Sequence, residues 1–431
     1  MTGRGTTLLQ IGPFNQTVIL DAIRRAGSLS RVELAERTGL APQTVTNISR
    51  RLLAQGLIVE AGTTNAGRGK PRTLLRLNGE ARVAVGVHLD PAVVTLAVLD
   101  LTGNVLVHER LATPSAVDPA KAIQAIAAAV DSVIASSGVA RERVLGVGIA
   151  APGPVDLDRG VIDNPPNLPG WHQVPLREDL ARASGLPVLL DKDVTAAAVA
   201  ETWWGNTRAE TMAVLYLGTG IGAGLVVDGE VIRGSFGNAG EIGHIVVDPD
   251  GPPCLCGQRG CVAVTLEPAA LVAAGVAAGV LLARPAEEFE SSLGELFERA
   301  TAGDPGARRL VDHAVKGISR LALVVTNLLD LDRLVLGGPY WSLIEPYFLG
   351  AARAALDSGA AAHLIHAVDV VGTSIGEHFG AVGAASLVLD QAFSPHPATM
   401  VSESTTAVDT PRARRLSAGR MHVERTAAPT S

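Results

Sequence analysis

Apolar side chains recur at helical spacing three times within the first sixty residues. The pattern predicts helices over residues 15–25, from 30 to about 38, and from 42 to about 55. Ser30 and the glutamate three residues later match a capping box, which is typical of a helix start. Gly39 supplies a tight turn between the second and third helices, so the segment predicts a helix-turn-helix.

The third predicted helix has one face without apolar residues. Val45, Ile48 and Leu52 share its buried face, and side chains that can bond base edges or phosphates lie opposite or beside it. The predicted DNA-contacting residues of this helix are Gln43, Thr44, Thr46, Asn47, Arg50 and Arg51. Helix-turn-helix proteins place such an exposed polar helix in the major groove of double-stranded DNA.

Two strand-like runs at 57–60 and 73–77 enclose a glycine-containing loop at 62–72. Arg68, Lys70 and Arg72 in this loop suit a wing whose cations approach phosphates or enter the minor groove. Residues 1–80 are therefore predicted to form a winged helix-turn-helix domain that binds operator DNA. The alternative is a small three-helix interaction module, which the polar helix face and the basic hairpin disfavour.

Beyond residue 82 the pattern changes to apolar runs of strand length that alternate with helices. Strands are predicted at 83–88, 93–100 and 144–151, and a helix is predicted at 119–136. This alternation predicts an α/β domain, which we place at 83–390. From about residue 391 the periodicity is lost in a segment rich in Ser, Thr, Pro, Ala and Arg, so 391–431 is predicted to be a disordered tail.

Composition and charge narrow the class of protein. Hydrophobic residues make up 47% of the 431 residues, and no apolar run reaches the ~18 residues that a membrane span needs. Three cysteines cannot form a disulfide scaffold in so long a chain, so a cytoplasmic protein without a membrane partner is expected. Residues 1–80 hold 11 basic and 5 acidic side chains, which makes a polyanion the expected partner of this domain.

Two loops of the α/β region carry weak chemical signals. Residues 164–171 form a proline-rich loop whose asparagine amides suit sugar hydroxyls, although a purely structural loop has the same composition. Residues 217–224 alternate glycine with other residues, which allows backbone N–H groups to approach an anion closely. A glycine-rich β-hairpin is the alternative for this second loop.

A stronger signal combines one histidine with every cysteine of the chain. His244 ends a Glu-Ile-Gly-His segment, and Cys254, Cys256 and Cys261 follow within the next seventeen residues. One imidazole and three thiolates complete the tetrahedral coordination of Zn²⁺. Because four protein ligands leave no open position, the sequence predicts a structural zinc site rather than a catalytic one.

Together these motifs resemble the ROK family, named for repressors, open reading frames and kinases. The resemblance covers about 83–390, and the winged helix-turn-helix in front is typical of the repressor branch. It implies an actin-like (ribonuclease H-like) pair of α/β subdomains with a sugar bound in the cleft between them. It also implies that Asn167, Asp193, Glu241 and His244 contact the sugar, that Asp193 occupies the position of the kinase base, and that His244 also binds zinc.

The sequence departs from the ROK kinases at the turn that wraps the ATP phosphates. Where those enzymes have Asp-x-Gly-Gly-Thr, this chain has His88 and then Asp90, Pro91 and Ala92. Proline lacks an N–H donor, and a carboxylate 4 Å from a phosphate costs about 1–4 kcal/mol. Loss of ATP binding and of catalysis is predicted. The alternative is an active sugar kinase with an accessory DNA-binding domain, which the intact loop at 218–224 favours.

The predicted sugar cleft is altered as well. Lys192 replaces the family's asparagine before Asp193, where we expect it to pair with Asp193 or to bind an acidic or phosphorylated sugar. Ala263 stands where the family has a sugar-binding glutamate, and Glu267 lies four residues later.

The predicted function is a sugar-responsive transcriptional regulator that represses carbohydrate genes as a homodimer or homotetramer on a palindromic operator. A ligand-independent DNA-binding scaffold is the remaining alternative, which the changes at Lys192 and Ala263 favour.

Overall fold

The computed structural model describes residues 8–64, 71–91, 93–112, 118–165, 168–204, 209–285, 288–359, 366–376 and 378–395. These residues form an N-terminal domain with a small sheet and two α/β subdomains that each contain a five-stranded sheet. The predicted mixed α/β class with two subdomains is confirmed. In the described part of the chain, every helix is too short or too polar to traverse a lipid bilayer.

The N-terminal domain contains the three predicted helices and a sheet of order β1-β3-β2. Its elements are α1 Leu8–Ala26, β1 Leu29–Ser30, α2 Arg31–Thr38, α3 Pro42–Ala54, β2 Ile58–Thr64 and β3 Arg72–Leu77. The predicted capping box is present: the Glu33 N–H donates to the Ser30 hydroxyl, and the Glu33 carboxylate accepts from the Ser30 N–H at 2.8 Å. Gly39 follows α2 with φ 69°, a left-handed conformation that favours glycine. α1 begins at Leu8, seven residues before the predicted start.

The first subdomain has the sheet order β10-β7-β4-β5-β6. Its strands are β4 Val83–Leu89, β5 Val93–Asp100, β6 Val105–Ala112, β7 Val144–Ala151 and β10 Val188–Lys192, with a separate ribbon of β8 Val155–Asp156 and β9 Val161–Ile162. Its helices are α4 Pro119–Ser136 and α5 Leu176–Ser184. Because β4, β7 and β10 are parallel, the residues that follow β4 and β10 lie at the same edge of the sheet.

The second subdomain has the sheet order β13-β12-β11-β14-β15. Its strands are β11 Met212–Leu217, β12 Ile221–Val227, β13 Glu230–Ile232, β14 Arg333–Gly337 and β15 Asp369–Gly372. The remaining helices are α6 Asp193–Trp204, α7 Val262–Leu266, α8 Pro268–Ala277, α9 Phe289–Thr301, α10 Pro305–Leu329, α11 Trp341–Gly359 and α12 Phe379–Phe393. The glycine-rich segment after β11 forms a β-hairpin, in which Leu217 pairs with Ile221.

Helices α6 and α12 pack against each other between the two sheets, and α12 also covers β4 and β7. Glycine allows this approach, because a Cβ on Gly86 would lie 1.9 Å from the Ala381 carbonyl oxygen and one on Gly148 would lie 1.8 Å from that of Ala384. The helix ends at Phe393, three residues beyond the predicted end of the α/β domain. Most of the predicted tail, from residue 396, lies outside the described residues.

The N-terminal domain and the body share one continuous apolar core. Ile19, Ile23 and Leu52 of the N-terminal domain belong to the same buried cluster as Trp203 of α6 and Leu389 of α12. Each of these five side chains is at most 3% exposed. Together they connect α1 and α3 to the two central helices of the body. The N-terminal domain is consequently packed onto the body rather than joined to it only by a linker.

Candidate functional site

The predicted sugar cleft lies where β10 ends and α6 begins. Lys192 is 3% exposed, and its Nζ lies 2.6 Å from Oε2 of Glu241, which comes from the second subdomain. The Asp193 Oδ1 accepts from the Val194 N–H at 2.7 Å. Of the two expectations for Lys192, the ion pair with Asp193 is therefore replaced by one with Glu241, and the binding of an acidic or phosphorylated sugar stays a prediction. The reason for the replacement is that the Asp193 carboxylate turns back onto its own helix, where the N-terminal N–H groups favour negative charge.

Two further polar contacts, which the sequence analysis missed, join loops near the cleft. Arg233 Nε donates to Asp191 Oδ2 at 2.8 Å, and Asp191 is 5% exposed. Asn238 accepts from the Val155 N–H at 3.0 Å and donates to the Val155 carbonyl at 3.1 Å. Asp191 carried a usable signal, since Asp191 and Lys192 are charged residues at the end of an otherwise apolar strand. Loop residues such as Asn238 carry no periodic signal.

The carboxyl group of Asp193 is electrostatically unusual. Burial raises its pKa to about 7, and the charges of Glu241 and Asp90 act in the same direction, whereas the Val194 N–H and Lys192 oppose them. Burial also raises the pKa of Glu267 to about 7, with Glu241 raising it further and His244 lowering it. Near neutral pH both carboxyls can therefore donate or accept a hydrogen bond, which suits a ligand with several hydroxyl groups.

The raised pKa of Asp193 predicts a pH-dependent stability. Between about pH 4 and pH 7 the native state binds a proton that the unfolded state has lost, so its unfolding free energy falls as the pH rises. Asp193→Asn removes this dependence and keeps an acceptor for the Val194 N–H. We expect it to stabilise the protein by about 2–4 kcal/mol at pH 8 and to change little at pH 4. Chemical denaturation across this pH range measures the difference.

Asp131→Asn is the matched control, because the Asp131 side chain is 57% exposed and pairs with Arg141 at the surface. Its effect is expected to stay small throughout the pH range. If the difference in unfolding free energy between Asp193→Asn and wild type does not vary with pH, the burial of the Asp193 charge is contradicted.

The two turns that would face ATP phosphates in a ROK kinase bond to each other. His88 and Asp90 are each 5% exposed, and Asp90 Oδ2 accepts from the Thr219 hydroxyl at 2.5 Å. Thr219 belongs to the glycine-rich hairpin of the second subdomain, so this bond crosses between subdomains. The alignment of Asp90 with the phosphate-binding turn of the ROK kinases stays a prediction, and Ala92 lies outside the described residues.

The predicted metal ligands come together in the second subdomain. The ligand atoms of His244, Cys254, Cys256 and Cys261 all lie within 4.8 Å of one another. Cys254 Sγ is 3.5 Å from His244 Nδ1, and Cys256 Sγ is 3.5 Å from Cys261 Sγ. Zn–S bonds of about 2.3 Å and Zn–N bonds of about 2.0–2.1 Å place tetrahedral ligands about 3.6–3.8 Å apart, so the cluster fits one such ion.

The chemistry of the thiols also fits a cation. Desolvation and the neighbouring thiols of Cys256 and Cys254 raise the pKa of Cys261 to about 12. A thiol with this pKa becomes a thiolate near neutral pH only when a positive charge lies beside it. A group of three thiols and one imidazole is thus a candidate metal-binding cluster.

The structure does not locate the predicted sugar contact of Asn167. Pro166 and Asn167 lie outside the described residues, so this contact stays a prediction. The Trp171 side chain after them is fully buried, and the Trp171 backbone carbonyl accepts from the Asn164 N–H at 2.7 Å.

The predicted DNA-contacting face of α3 is accessible. Gln43, Asn47, Arg50 and Arg51 are exposed, and Thr44 and Thr46 are half-buried. Gln43 Nε2 donates to Asn47 Oδ1 at 3.3 Å, which leaves the Asn47 amide nitrogen as a donor. The Thr46 hydroxyl donates to the Pro42 carbonyl at 2.8 Å. Arg72 lies in β3, whereas Arg68 and Lys70 lie outside the described residues.

Comparison with known proteins agrees with the fold of the N-terminal domain and of the α/β body. The family model described as ROK family matches residues 84–391, which is well over half of the chain. The chain belongs to the ROK family. A model described as winged helix-turn-helix DNA-binding matches residues 16–59 of this ROK protein. The resemblance inferred from the motifs is thereby confirmed.

The relatives of this ROK protein include a repressor and a kinase. It is 28% identical over 260 residues to the xylose repressor of Caldicellulosiruptor bescii. This match covers 60% of the chain and 64% of the repressor, so the chain spans less than two thirds of the repressor's length. It is 32% identical over 259 residues to the glucokinase of Thermotoga maritima, covering 57% of the chain and 79% of the enzyme.

A solved ROK family transcriptional regulator, a homolog of the Escherichia coli MLC protein, shares the fold. Its TM-score is 0.69 at 24% identity, and the match covers 89% of this chain and 98% of that one. Because the same body occurs in kinases and in regulators, function has to be argued from the site residues.

Proposed function

We propose that this ROK protein is a cytoplasmic, sugar-responsive transcriptional regulator that represses carbohydrate genes. Helix α6 carries the proposal, because it begins at Asp193 in the cleft and ends against the N-terminal domain. Residues 1–80 would bind a palindromic operator, and 83–390 would bind the sugar. Two copies or four would present paired α3 helices to the DNA.

The contact between α6 and the N-terminal domain is specific. The Arg24 guanidinium of α1 lies 4.3 Å from the ring centroid of Trp203 and donates to the Trp203 carbonyl oxygen. Asp21 holds the same guanidinium at 2.5 Å. The Arg24 side chain is only 8% exposed, so the contact is desolvated. A change in the position of α6 is expected to alter the position of α1 and therefore of α3.

The cleft supports a sugar as the ligand. Lys192 and Glu241 are paired across the subdomains, and Asp193 and Glu267 have pKa values near neutrality, so the cleft offers both donors and acceptors. A sugar that prefers one angle between the subdomains would shift DNA affinity by its differential affinity for the two angles. The xylose repressor among the relatives supports this kind of regulation.

A gel-shift series on DNA that flanks the protein's own gene, with and without a panel of sugars, tests the proposal. We expect sequence-preferring binding that one sugar changes by about 5–150-fold, equivalent to a coupling of about 1–3 kcal/mol. Absence of any sequence preference would remove the proposed function.

A thermal-shift screen with the same sugars tests for a ligand-independent scaffold. In such a scaffold, none of the sugars raises the unfolding temperature of the protein.

Replacement of Arg24 tests the role of α6. Arg24→Met removes the contact with Trp203 while keeping an unbranched apolar chain. We expect the ratio of DNA affinities with and without the sugar to approach one, because the coupling of about 1–3 kcal/mol is lost. Calorimetry should show that the sugar still binds, because Arg24 contacts Trp203, which lies about 15 Å along α6 from Asp193.

Arg25→Met is the matched control. The Arg25 side chain is 57% exposed and pairs with the same Asp21 at 2.8 Å, so its loss removes an equal charge. This variant should keep the full response to the sugar. A response that survives in Arg24→Met would show that the ligand signal bypasses this contact.

We also propose that His244, Cys254, Cys256 and Cys261 bind one structural Zn²⁺. The ligand distances and the fully protein-supplied tetrahedral set support this assignment. The ion would join the loop that carries Glu241 and His244 to the start of α7. It would thereby fix the Glu241 side of the sugar cleft.

An active sugar kinase is the second candidate, favoured by the glucokinase relative and by Asp193 at the position of the catalytic base. The Asp90 carboxylate and its bond to Thr219 argue against it, because they bring negative charge and a closed contact to the phosphate turns. A coupled assay for ADP over the sugar panel is expected to detect no turnover. Rapid ADP formation with any sugar would favour the kinase.

A further inference from the structure

Helix α6 follows a strand of the first subdomain but packs closely on the sheet of the second. A Cβ on Gly224 of β12 would lie 2.1 Å from the Val194 carbonyl oxygen of α6 and 2.8 Å from the Ala198 Cβ. Glycine is required for so close an approach of a helix to a strand. Val194 and Ala198 also belong to one buried cluster with Met212 of β11. The first turns of α6 are therefore fitted to the second sheet.

Helix α12 packs in the same way on the first sheet, so the boundary between the subdomains runs between α6 and α12. The two helices meet at small residues, because a Cβ on Gly383 of α12 would lie 2.9 Å from the Ala196 carbonyl carbon of α6. Helix α1 contacts both sides of this boundary, since Ile19 shares a buried cluster with Trp203 of α6 and Leu389 of α12. A small sliding displacement between α6 and α12 would therefore change the seat of α1.

A buried carboxylate bonds α6 to the second subdomain. Glu201 is 4% exposed, and it accepts from the Thr373 hydroxyl through Oε1 and from the Ser374 hydroxyl through Oε2, the latter at 3.4 Å. Thr373 and Ser374 follow β15, and the Thr373 N–H donates to the Leu336 carbonyl of β14 at 2.8 Å. Burial raises the pKa of Glu201, whereas the bonds from Thr373 and Ser374 lower it. A buried polar group is tolerated when it has such partners.

We propose that Glu201 is a positioning residue that makes α6 move with the second subdomain, so that a sugar in the cleft displaces Trp203 relative to α12 and repositions α1. Trp203 lies two residues after Glu201, and its carbonyl oxygen accepts from Arg24. Trp204 Nε1 donates to the Ser386 hydroxyl of α12 at 2.8 Å, so the end of α6 also has a bond that opposes this movement. The inference rests on the proposed function, whereas the bonding of α6 by Glu201 is testable without sugar or DNA.

Hydrogen exchange of the full chain, without sugar or DNA, tests this bonding. Glu201→Met removes both acceptors and keeps a side chain of similar length, and Thr373→Val removes one donor and keeps its shape. We expect each change to speed amide exchange by about tenfold in α1 and in the last turn of α6, because their local opening becomes easier. Exchange should stay unchanged in α4, which packs on the opposite face of the first sheet from α12. Glu201→Gln keeps one acceptor oxygen and should restore most of the protection.

Gel shifts then test the transmission, with the sugar of the panel that changes the DNA affinity of wild type most. In Glu201→Met the ratio of DNA affinities with and without this sugar should approach one, while calorimetry shows that the sugar still binds. If no sugar changes the DNA affinity of wild type, the proposed function fails, and the transmission step fails with it. The bonding of α6 is then judged by hydrogen exchange alone.

Thr202→Val is the matched control, because the Thr202 hydroxyl donates to the Ala198 carbonyl within α6 at 2.9 Å. It should keep wild-type exchange in α1 and the full response to the sugar. The inference is overturned if exchange in α1 is the same in Glu201→Met and wild type. It is also overturned if exchange rises equally in α1 and α4, since Glu201 would then only stabilise the fold, or if Glu201→Met keeps the full response to the sugar.

Discussion

Cys261→Ser is expected to abolish stoichiometric zinc binding and to lower the unfolding free energy by about 3–5 kcal/mol. Cys261 is fully buried and immediately precedes α7. The following N–H groups bond the loop that carries His244: Val262 donates to Ile245 and Ala263 donates to Gly243, each at 2.9 Å. Losing the ion would free both the cysteine loop and this histidine loop. Metal analysis of the purified protein and chemical denaturation measure the two effects.

Leu255→Ser is the matched control for the metal site. Leu255 lies between two predicted ligands, and its side chain is fully exposed, so the change leaves the donor set and the core intact. Zinc content and stability should equal those of wild type. A wild-type protein that contains no metal when purified without chelators would refute the site, and equal zinc content in Cys261→Ser would refute the ligand assignment.

Asn47→Ala is expected to weaken operator binding by about 1–3 kcal/mol, which is roughly 5–150-fold. Asn47 lies on the exposed face of α3, and Gln43 donates to its Oδ1 at 3.3 Å, which orients the amide. An oriented amide can donate to and accept from one base edge, so its loss should reduce the preference for the operator over other DNA. Gel shifts on operator and scrambled DNA at fixed salt measure this preference.

Arg50→Ala provides the comparison on the same helix face. Its exposed guanidinium suits a phosphate, so its loss should weaken binding to both DNAs alike and lower the salt dependence by about one counterion. An operator preference that is unchanged in Asn47→Ala would mean that other residues read the bases.

Local sequence was sufficient for helices α2 and α3 of the N-terminal domain. The capping box at Ser30, the left-handed Gly39 and the apolar spacing of Val45, Ile48 and Leu52 all appear as predicted. Each of these signals depends on neighbours within four residues along the chain. The strands at 93–100 and 144–151 and the helix at 119–136 were likewise predicted with their observed bounds.

The contacts that join separate parts of the chain were not predictable in this way. Lys192 and Glu241 are 49 residues apart, Asp90 and Thr219 are 129 apart, and Arg24 and Trp203 are 179 apart. The sequence analysis offered Asp193 or an acidic or phosphorylated sugar as the partner of Lys192, and it did not offer Glu241. The Asp193 Oδ1 instead accepts from the Val194 N–H at 2.7 Å, and Lys192 reaches Glu241 in the other subdomain.

The sequence by itself determined the class of each domain, the Cys and His residues of the candidate metal cluster, and the negative charge at the turn that aligns with the phosphate-binding turn of the ROK kinases. Periodicity, helix caps and residue chemistry are local properties, so they can be recognised in the sequence without knowledge of the fold. Only the tertiary structure decided which charges meet in the cleft and that α6 connects the cleft to the N-terminal domain. These features depend on how two sheets and two central helices pack, and burial then sets the pKa values and pairings of the polar groups between them.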